Sequence, residues 1–456
     1  MATENSTAHR TLGLADVLGI GINGIIGSGV YLLVGPLAAR SGAASVFGVL
    51  ACGILCGVIA LCFAELASMF DRSGGPTIYA REAFGPLLGF AAGWFGAATG
   101  ILGLAAVAVG FSGTLARVVP QIDLIPQGRT LMAVLVIVGF GALNLRGVKL
   151  GGRTSTVLSV VKVAPLVLLA IVGLARVPSS LLAQVFDTPQ LAPGAEAITW
   201  TEGVARAAFL SVFMMSGFDY AAVPAGEVKE PRRTIPLALV FSLLGATALY
   251  VILQLTALAT VPGLVLVQPA GTQHNHPLLD AAQVLFGPIG TPFIGVAALL
   301  SMLGYCAGVA LVAPRYIVAL SEDGVLSRRL RQRTRFGTPG AAIGVSTLIA
   351  AGLAILLGYT SLVDASNVVI LSGYAGTALA TLVLRLRKPD LPRRVKLPFG
   401  IVIPALAIGA SLVLLWSAKP KATEWIFAGE LLLIGAVVWI ATALARRDAH
   451  SGDDLP

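Results

Sequence analysis

Long apolar segments follow one another from residue 14 to residue 445, separated only by short polar stretches, and this succession decides the solvent in which the chain can fold. A bilayer core takes roughly 20 apolar residues per helical crossing. The segments are apolar around the whole helix circumference instead of along one stripe, as helices in lipid are. We read twelve spans, at about 14–34, 43–70, 84–115, 130–146, 155–175, 201–224, 235–261, 284–318, 340–358, 362–385, 401–417 and 425–445. Composition agrees, with 56% of the 456 residues hydrophobic and 12% charged, where soluble domains carry roughly 25% charged residues. Pro and Gly clusters punctuate the joins, at Ser73-Gly74-Gly75-Pro76, Gly85-Pro86, Pro231, Pro236, Gly287-Pro288 and Thr338-Pro339-Gly340. The expected fold class is an all-α integral membrane protein of twelve transmembrane helices.

An even number of spans places both termini on one side. If that side is the cytoplasm, 23 of the 31 Lys and Arg fall in inside segments, 6 fall outside, and Lys162 and Arg206 lie within spans. This asymmetry follows the positive-inside rule. It implies a multi-pass protein of the cell (inner) membrane, with cytoplasmic tails at 1–13 and 446–456. The net charge of +9 is therefore a topology signal, and no nucleic-acid partner is expected. Cys52, Cys56, Cys62 and Cys306 all lie in apolar segments, and no Cys/His cluster has metal-ligand spacing. They read as buried thiols acting as small hydrophobes, so no cofactor or metal is expected. Met1–Arg10 lacks a charged region followed by a cleavage site, so no cleaved signal peptide is expected.

Two spans are interrupted. The first carries Gly21-Ile22-Asn23-Gly24-Ile25-Ile26-Gly27-Ser28-Gly29-Val30-Tyr31, and the sixth carries Phe213-Met214-Met215-Ser216-Gly217-Phe218-Asp219-Tyr220. Each glycine weakens a helix interior by roughly 0.5–1 kcal/mol relative to Ala, so a segment built only to cross lipid gains nothing from them. Broken helix at membrane depth persists only where protein or a water-filled cavity satisfies the freed backbone. Breaks in corresponding positions of two halves mark the central site of a transporter. Spans 1–5 (14–175) and 6–10 (201–385) are the two halves. Because five is odd, the second is inverted relative to the first, and spans 11–12 (401–445) are additional.

A broken helix offers N–H groups with positive partial charge at one end and carbonyls at the other. Together they match the zwitterionic head of an amino acid. Gly27-Ser28-Gly29 would take the carboxylate, and carbonyls near Ile25, Phe213 and Ser216 the ammonium, with Gly217 completing the second break. Close helix packing is the competing reading of the glycines. Thr99 in span 3 could face the same cavity. Asp219 lies in the span 6 break, where an ionisable side chain is costly and marks function by default. It could gate, bind an amine or take a proton, or merely cap the second half-helix. Lys162, about a third of the way into span 5, could bridge carbonyls of span 1 to span 8. It would couple transport to protons if it loses its own, and would be a fixed cation in an exchanger if it does not; desolvation permits the first. Tyr220, with Ser301 and Tyr305 of span 8, completes the coupling and gating set. Phe213 and Tyr220 bracket the break and could close over substrate or simply pack. Glu65, near the inner end of span 2, could contact loop arginines, and His274 and His276 fall in an outer loop with no role assigned.

These residues resemble the amino acid–polyamine–organocation superfamily of transporters. The resemblance rests on Gly24-Ile25-Ile26-Gly27-Ser28-Gly29-Val30-Tyr31, on Phe63-Ala64-Glu65-Leu66 with Ser73-Gly74-Gly75-Pro76-Thr77-Ile78-Tyr79-Ala80 and Phe84-Gly85-Pro86, and on Asn144-Leu145-Arg146-Gly147. It continues with Ser216-Gly217-Phe218-Asp219-Tyr220, Gly226-Glu227-Val228-Lys229-Glu230-Pro231-Arg232-Arg233-Thr234-Ile235-Pro236 and Glu322-Asp323-Gly324-Val325-Leu326. It covers nearly the whole chain and implies a LeuT-like core of five plus five helices with two added spans. It would put the substrate carboxylate on Ser28 and Gly29 and the amine on carbonyls of Ile25, Phe213 and Ser216. Lys162 matches the span 5 lysine of proton-coupled and facilitative members, which the arginine/agmatine exchanger branch lacks. Where that branch carries polar or aromatic residues, this chain has Gly100, Leu104 and Val309, which favours a neutral amino acid. Ser327 departs from the proline common after Asp-Gly-x-Leu.

The expected function is alternating-access transport of a neutral L-amino acid, with the bilayer as surroundings and the proton as a candidate second partner. A cationic amino acid or polyamine antiporter is the same-fold alternative, with Asp219 its in-span acid. A non-transporting sensor or a channel is the alternative of another class; the short tails speak against the first and the lack of a carbonyl filter or charged ring against the second. No nucleophile–base constellation suggests an enzyme.

Overall fold

The computed structural model describes residues 12–70, 75–147, 152–222, 225, 228–269, 276–417 and 422–451. Among them there is no β-strand, only two isolated bridges, Leu12 with Val228 and Leu191 with Val267. Seventeen α-helices follow in order. The first four are α1 Leu14–Ile25, α2 Gly29–Leu32, α3 Val34–Ser41 and α4 Ser45–Ala67. Then come α5 Pro76–Phe84, α6 Pro86–Val118, α7 Gly128–Leu145, α8 Gly152–Leu174 and α9 Ser179–Gln184. α10 Trp200–Met215, α11 Pro231–Thr260, α12 Pro277–Phe286 and α13 Gly290–Glu322 follow. The last are α14 Gly340–Leu356, α15 Tyr359–Arg387, α16 Val402–Ser417 and α17 Ala422–Ser451.

Eight helical segments among the described residues are long and apolar enough to cross a membrane, and α14, α16 and the apolar part of α8 are shorter apolar helices. The chain is a multi-pass membrane protein. Its lipid-facing surface is apolar, with Leu135, Ile171, Leu348, Val413 and Leu433 among the exposed side chains. Without a hydrophobic drive between helices in lipid, packing of small residues holds such bundles together. The most extensive pairing, α6 with α13, shows it: Gly100 lies where an added Cβ would stand 2.8 Å from that of Ala313, and at Gly96 it would meet the Tyr316 ring at 2.6 Å.

Several joins differ from the sequence reading. Pro236 does not end an element but lies inside α11, close to its start. Gly287-Pro288 does fall at a join, between α12 and α13, a few residues inside the start read for the eighth span. Gly287 has φ +68°, a left-handed conformation that glycine adopts without cost. α5 and α9 are helices that hydropathy alone does not reveal. The segments Ser73–Gly74 and Gly226–Glu227, His274 and both chain ends of the expected tails lie outside the described residues.

At one end of α4, Glu65 is fully buried. Arg385 Nε donates to its carboxylate at 2.8 Å, Nη2 of the same side chain donates to the second oxygen, and Arg393 Nε lies 3.3 Å away. The Leu397 N–H donates to it at 3.1 Å. Arg393 in turn donates to the Leu384 and Lys388 carbonyls at 2.9 and 3.0 Å. One carboxylate thus anchors the connection from α15 to α16.

Candidate functional site

α1 ends at Ile25 and helix resumes at Gly29, so Ile26–Ser28 form a gap at the middle of an apolar segment. α10 ends at Met215, and Ser216 takes an extended conformation with φ −72° and ψ 163°. Gly217 follows with φ +95°. The two gaps touch each other. A Cβ on Gly24 would stand 2.4 Å from the Gly217 carbonyl oxygen, and one on Gly217 would stand 2.4 Å from the Gly24 oxygen. Only glycine at both positions allows this backbone approach. Gly29 likewise lies against the Met214 backbone, where a Cβ would meet its Cα at 2.9 Å.

The carbonyls freed at the first gap are taken up by side chains from three other helices. Lys162 of α8 is fully buried, donates to the Ile26 carbonyl at 3.1 Å and also donates to Asn23 Oδ1. Ser301 of α13 bridges the Ile26 and Gly27 carbonyls at 3.1 and 3.2 Å. Asn23 Nδ2 reaches the Gly304 carbonyl at 3.4 Å, and a Cβ on Gly304 would stand 2.8 Å from Lys162 Cε. Tyr250 of α11 donates to the Ile25 carbonyl at 3.2 Å. Among the described residues no carboxylate forms an ion pair with Lys162. Its ammonium is held by an amide oxygen and a backbone carbonyl.

On the other side of the gap, Ser28 is buried and its Oγ lies 3.2 Å from the Tyr359 hydroxyl. The Tyr359 ring meets that of Phe213 edge-on at 6.5 Å. The Phe213 carbonyl accepts from Ser216 Oγ at 2.9 Å. The Tyr305 ring covers Gly27, where a Cβ would meet it at 3.0 Å. Gly27, Ser28, Phe213, Tyr305 and Tyr359 are therefore mutual neighbours around the first gap.

Asp219 and Thr99 belong to an adjoining cavity. It is lined also by Phe63, Gly96, Tyr220, Tyr316 and Tyr374. The Tyr374 hydroxyl donates to Asp219 at 3.2 Å. Phe63 and Tyr374 of this lining form with Phe218 a triangle of rings 5.2–5.9 Å apart. Tyr220 also borders the first gap, since a Cβ on Gly24 would reach its ring at 3.2 Å. Outside the apolar helices, burial and the Arg117 guanidinium hold the His276 imidazole below its usual range, against an opposing pull from Asp280.

Four contributors were not singled out from sequence. Asn23 could have been, because it is a polar residue inside an apolar segment and within the interrupted motif. Tyr250, Tyr359 and Tyr374 carry no local signal; they reach the gaps only through the packing of α11 and α15.

The arrangement presents backbone and side-chain polar groups in an apolar surround, with no group of three His, Cys, Asp or Glu placed to hold a metal among the described residues. The family profile for amino acid permeases matches residues 12–439, and the chain belongs to that family of membrane transporters. It is 28% identical over 459 residues to the branched-chain amino acid permease BcaP of Bacillus subtilis, covering 94% of this chain and 92% of the relative. It is 27% identical over 449 residues to the serine/threonine exchanger SteT of the same organism, covering 95% and 96%. It is 26% identical over 454 residues to the methylthioribose transporter of that organism, covering 96% and 93%. These relatives are transporters and none is named as an enzyme.

Proposed function

We propose that the protein is an alternating-access carrier of a neutral L-amino acid, coupled through Lys162. The observation that carries this reading is the ammonium of Lys162, buried with no counter-carboxylate among the described residues and bonded directly to the gap that would hold the substrate. Desolvation disfavours an unpaired buried charge, so the group can be discharged by losing its proton. The gap would then relax, because the Ile26 carbonyl loses a charged donor. In this reading the substrate carboxylate lies at the N–H groups of Ser28 and Gly29, exchanging for the Tyr359 hydroxyl on Ser28, and gains that of Gly27 once it leaves the Ile25 carbonyl it now donates to at 3.0 Å. The amine takes the Ser216 carbonyl and the second lone pair of the Phe213 carbonyl, and at Ile25 displaces one of the two donors that its carbonyl now accepts from, the Gly27 N–H and the Tyr250 hydroxyl. Tyr220, Tyr305 and Asp219 border the route. Twelve crossings, an inverted five-plus-five core over 14–175 and 201–385, helices 11 and 12 over 401–445, and cytoplasmic tails at 1–13 and 446–456 in the inner membrane complete the proposal. Names of relatives support an amino acid as cargo and leave its side chain to experiment.

The test is uptake of a radiolabelled amino acid panel, with methylthioribose included, into proteoliposomes with and without an inward proton gradient. Stimulation by the gradient in the wild type, absent in Lys162→Met while counterflow of the same substrate persists, is the expected result. Uptake that ignores the gradient and requires internal amino acid would overturn proton coupling and leave an exchanger with Lys162 as a fixed charge. Uptake of methylthioribose alone would overturn the substrate class. A cationic substrate is the second reading, favoured by the Asp219 carboxylate in its aromatic cavity, and lysine or putrescine competing at the lowest concentration would select it.

A further inference from the structure

Basic residues that the site does not use gather where α13 passes into α14. The connection between them carries Arg328, Arg329, Arg331, Arg333 and Arg335, all exposed, and none of the five is in an ion pair among the described residues. The connection is well folded. Ser321 Oγ donates to the Ser327 carbonyl at 2.8 Å, Arg333 to the Gly337 carbonyl at 2.9 Å, and Thr338 Oγ1 to the Leu145 carbonyl of α7 at 2.9 Å. The guanidinium of Arg335 lies 4.7 Å above the ring of Phe336, which is itself half exposed. Arg315 is exposed in α13, seven residues before the helix ends, which is about 10 Å at 1.5 Å per residue. Of the acidic side chains at this end, Asp323 is engaged by Arg81 and Glu322 is exposed.

We infer that this connection binds the phosphates of anionic phospholipids in the leaflet that borders it. The flanking helices are apolar, so their shared end stands at headgroup level. An arginine two turns inside such a helix reaches its polar surroundings only by extending toward that level. Guanidinium groups match phosphate oxygens in bidentate geometry, and an exposed aromatic ring suits the interface between acyl chains and headgroups. Clusters of this size beside a membrane helix attract anionic lipid. Were the arginines only signals for membrane insertion, the folded protein would show no lipid preference through them. Occupancy would bear on transport, because α13 also carries Ser301 and Gly304 against the first gap.

The experiment takes the purified full chain in vesicles of equal phosphatidylglycerol and phosphatidylcholine and measures by mass spectrometry the lipid retained after gentle extraction. The wild type is expected to enrich phosphatidylglycerol several-fold. Replacing the five arginines by glutamine should bring the ratio close to the bulk value, and replacing them by lysine should keep most of the enrichment. No enrichment in the wild type, or full enrichment in the glutamine variant, overturns the inference. Should the variant with all five replaced fail to fold, Arg328→Gln with Arg329→Gln is expected to lower the ratio by about two-fold or more, two of the five basic contacts being lost; an unchanged ratio overturns it. Release of phosphatidylglycerol by millimolar inorganic phosphate would identify free phosphate as the occupant and overturn the lipid assignment.

Discussion

Glu65 and Lys162 are both charged, both fully buried and both reached by hydrogen bonds from or to other helices, yet they are treated in opposite ways. Glu65 is neutralised by two guanidinium groups and a backbone N–H. Lys162 meets an amide oxygen and a carbonyl and, among the described residues, nothing of opposite charge. A buried charge with a full complement of opposite charge is fixed, because removing either partner strands the other. A buried charge held by dipoles alone sits closer to balance, and a proton or a nearby carboxylate can tip it. The first arrangement suits an anchor and the second a moving part.

The largest test of this contrast is Glu65→Ala. It leaves Arg385 and Arg393 uncompensated, and the expected loss is about 3–5 kcal/mol of stability, read as a fall in the thermal midpoint of the purified protein. Lys162→Met should fold with a midpoint near that of the wild type, since an apolar replacement strands no charge. Equal losses in the two variants would erase the distinction. Next comes Gly24→Ala, whose methyl meets the Gly217 carbonyl oxygen. Overpacking of this kind costs about 1–3 kcal/mol, and forcing the gaps apart should also lower the transport rate. Asn23→Asp sharpens the comparison directly, because it gives Lys162 the carboxylate it lacks. The pair should then behave like Glu65, with transport reduced by roughly ten-fold, a change of about 1.4 kcal/mol, and a thermal midpoint lowered at most slightly by the lost donor to the Gly304 carbonyl. Tyr359→Phe should have the smallest effect. It removes one neutral hydrogen bond to Ser28, worth about 0.5–1.5 kcal/mol, and should shift substrate KM by a few-fold and lower the midpoint only slightly.

The comparison also shows what a linear sequence displays. Lys162, Asp219 and the two interrupted segments stand out because polar groups and glycines are expensive in apolar helices, so their position is its own argument. The helical class followed from hydropathy for the same reason. The partners do not stand out. Arg385 and Arg393 read as ordinary positive-inside charges, and only the wrap of the α15–α16 connection around Glu65 turns them into its ligands. Tyr250, Tyr359 and Tyr374 are unremarkable in their own segments, since a tyrosine is tolerated in many places along such helices. Pro236 misled as a boundary because a proline in the first turns of a helix removes few hydrogen bonds. The short helices α5 and α9 escaped because a few turns at a segment end leave little periodic signal.

The contact between Gly24 and Gly217 has a kinetic consequence. In the proposed carrier cycle the two gaps would be the hinges, and hinges pressed backbone to backbone would have to turn together, since each fills the space the other would need. The openings toward the two sides would then share a single barrier instead of having one each. Any change that roughens this bearing should slow loading and unloading by the same factor, and the ratio of import to export rates would stay constant across a series of substitutions that changes both.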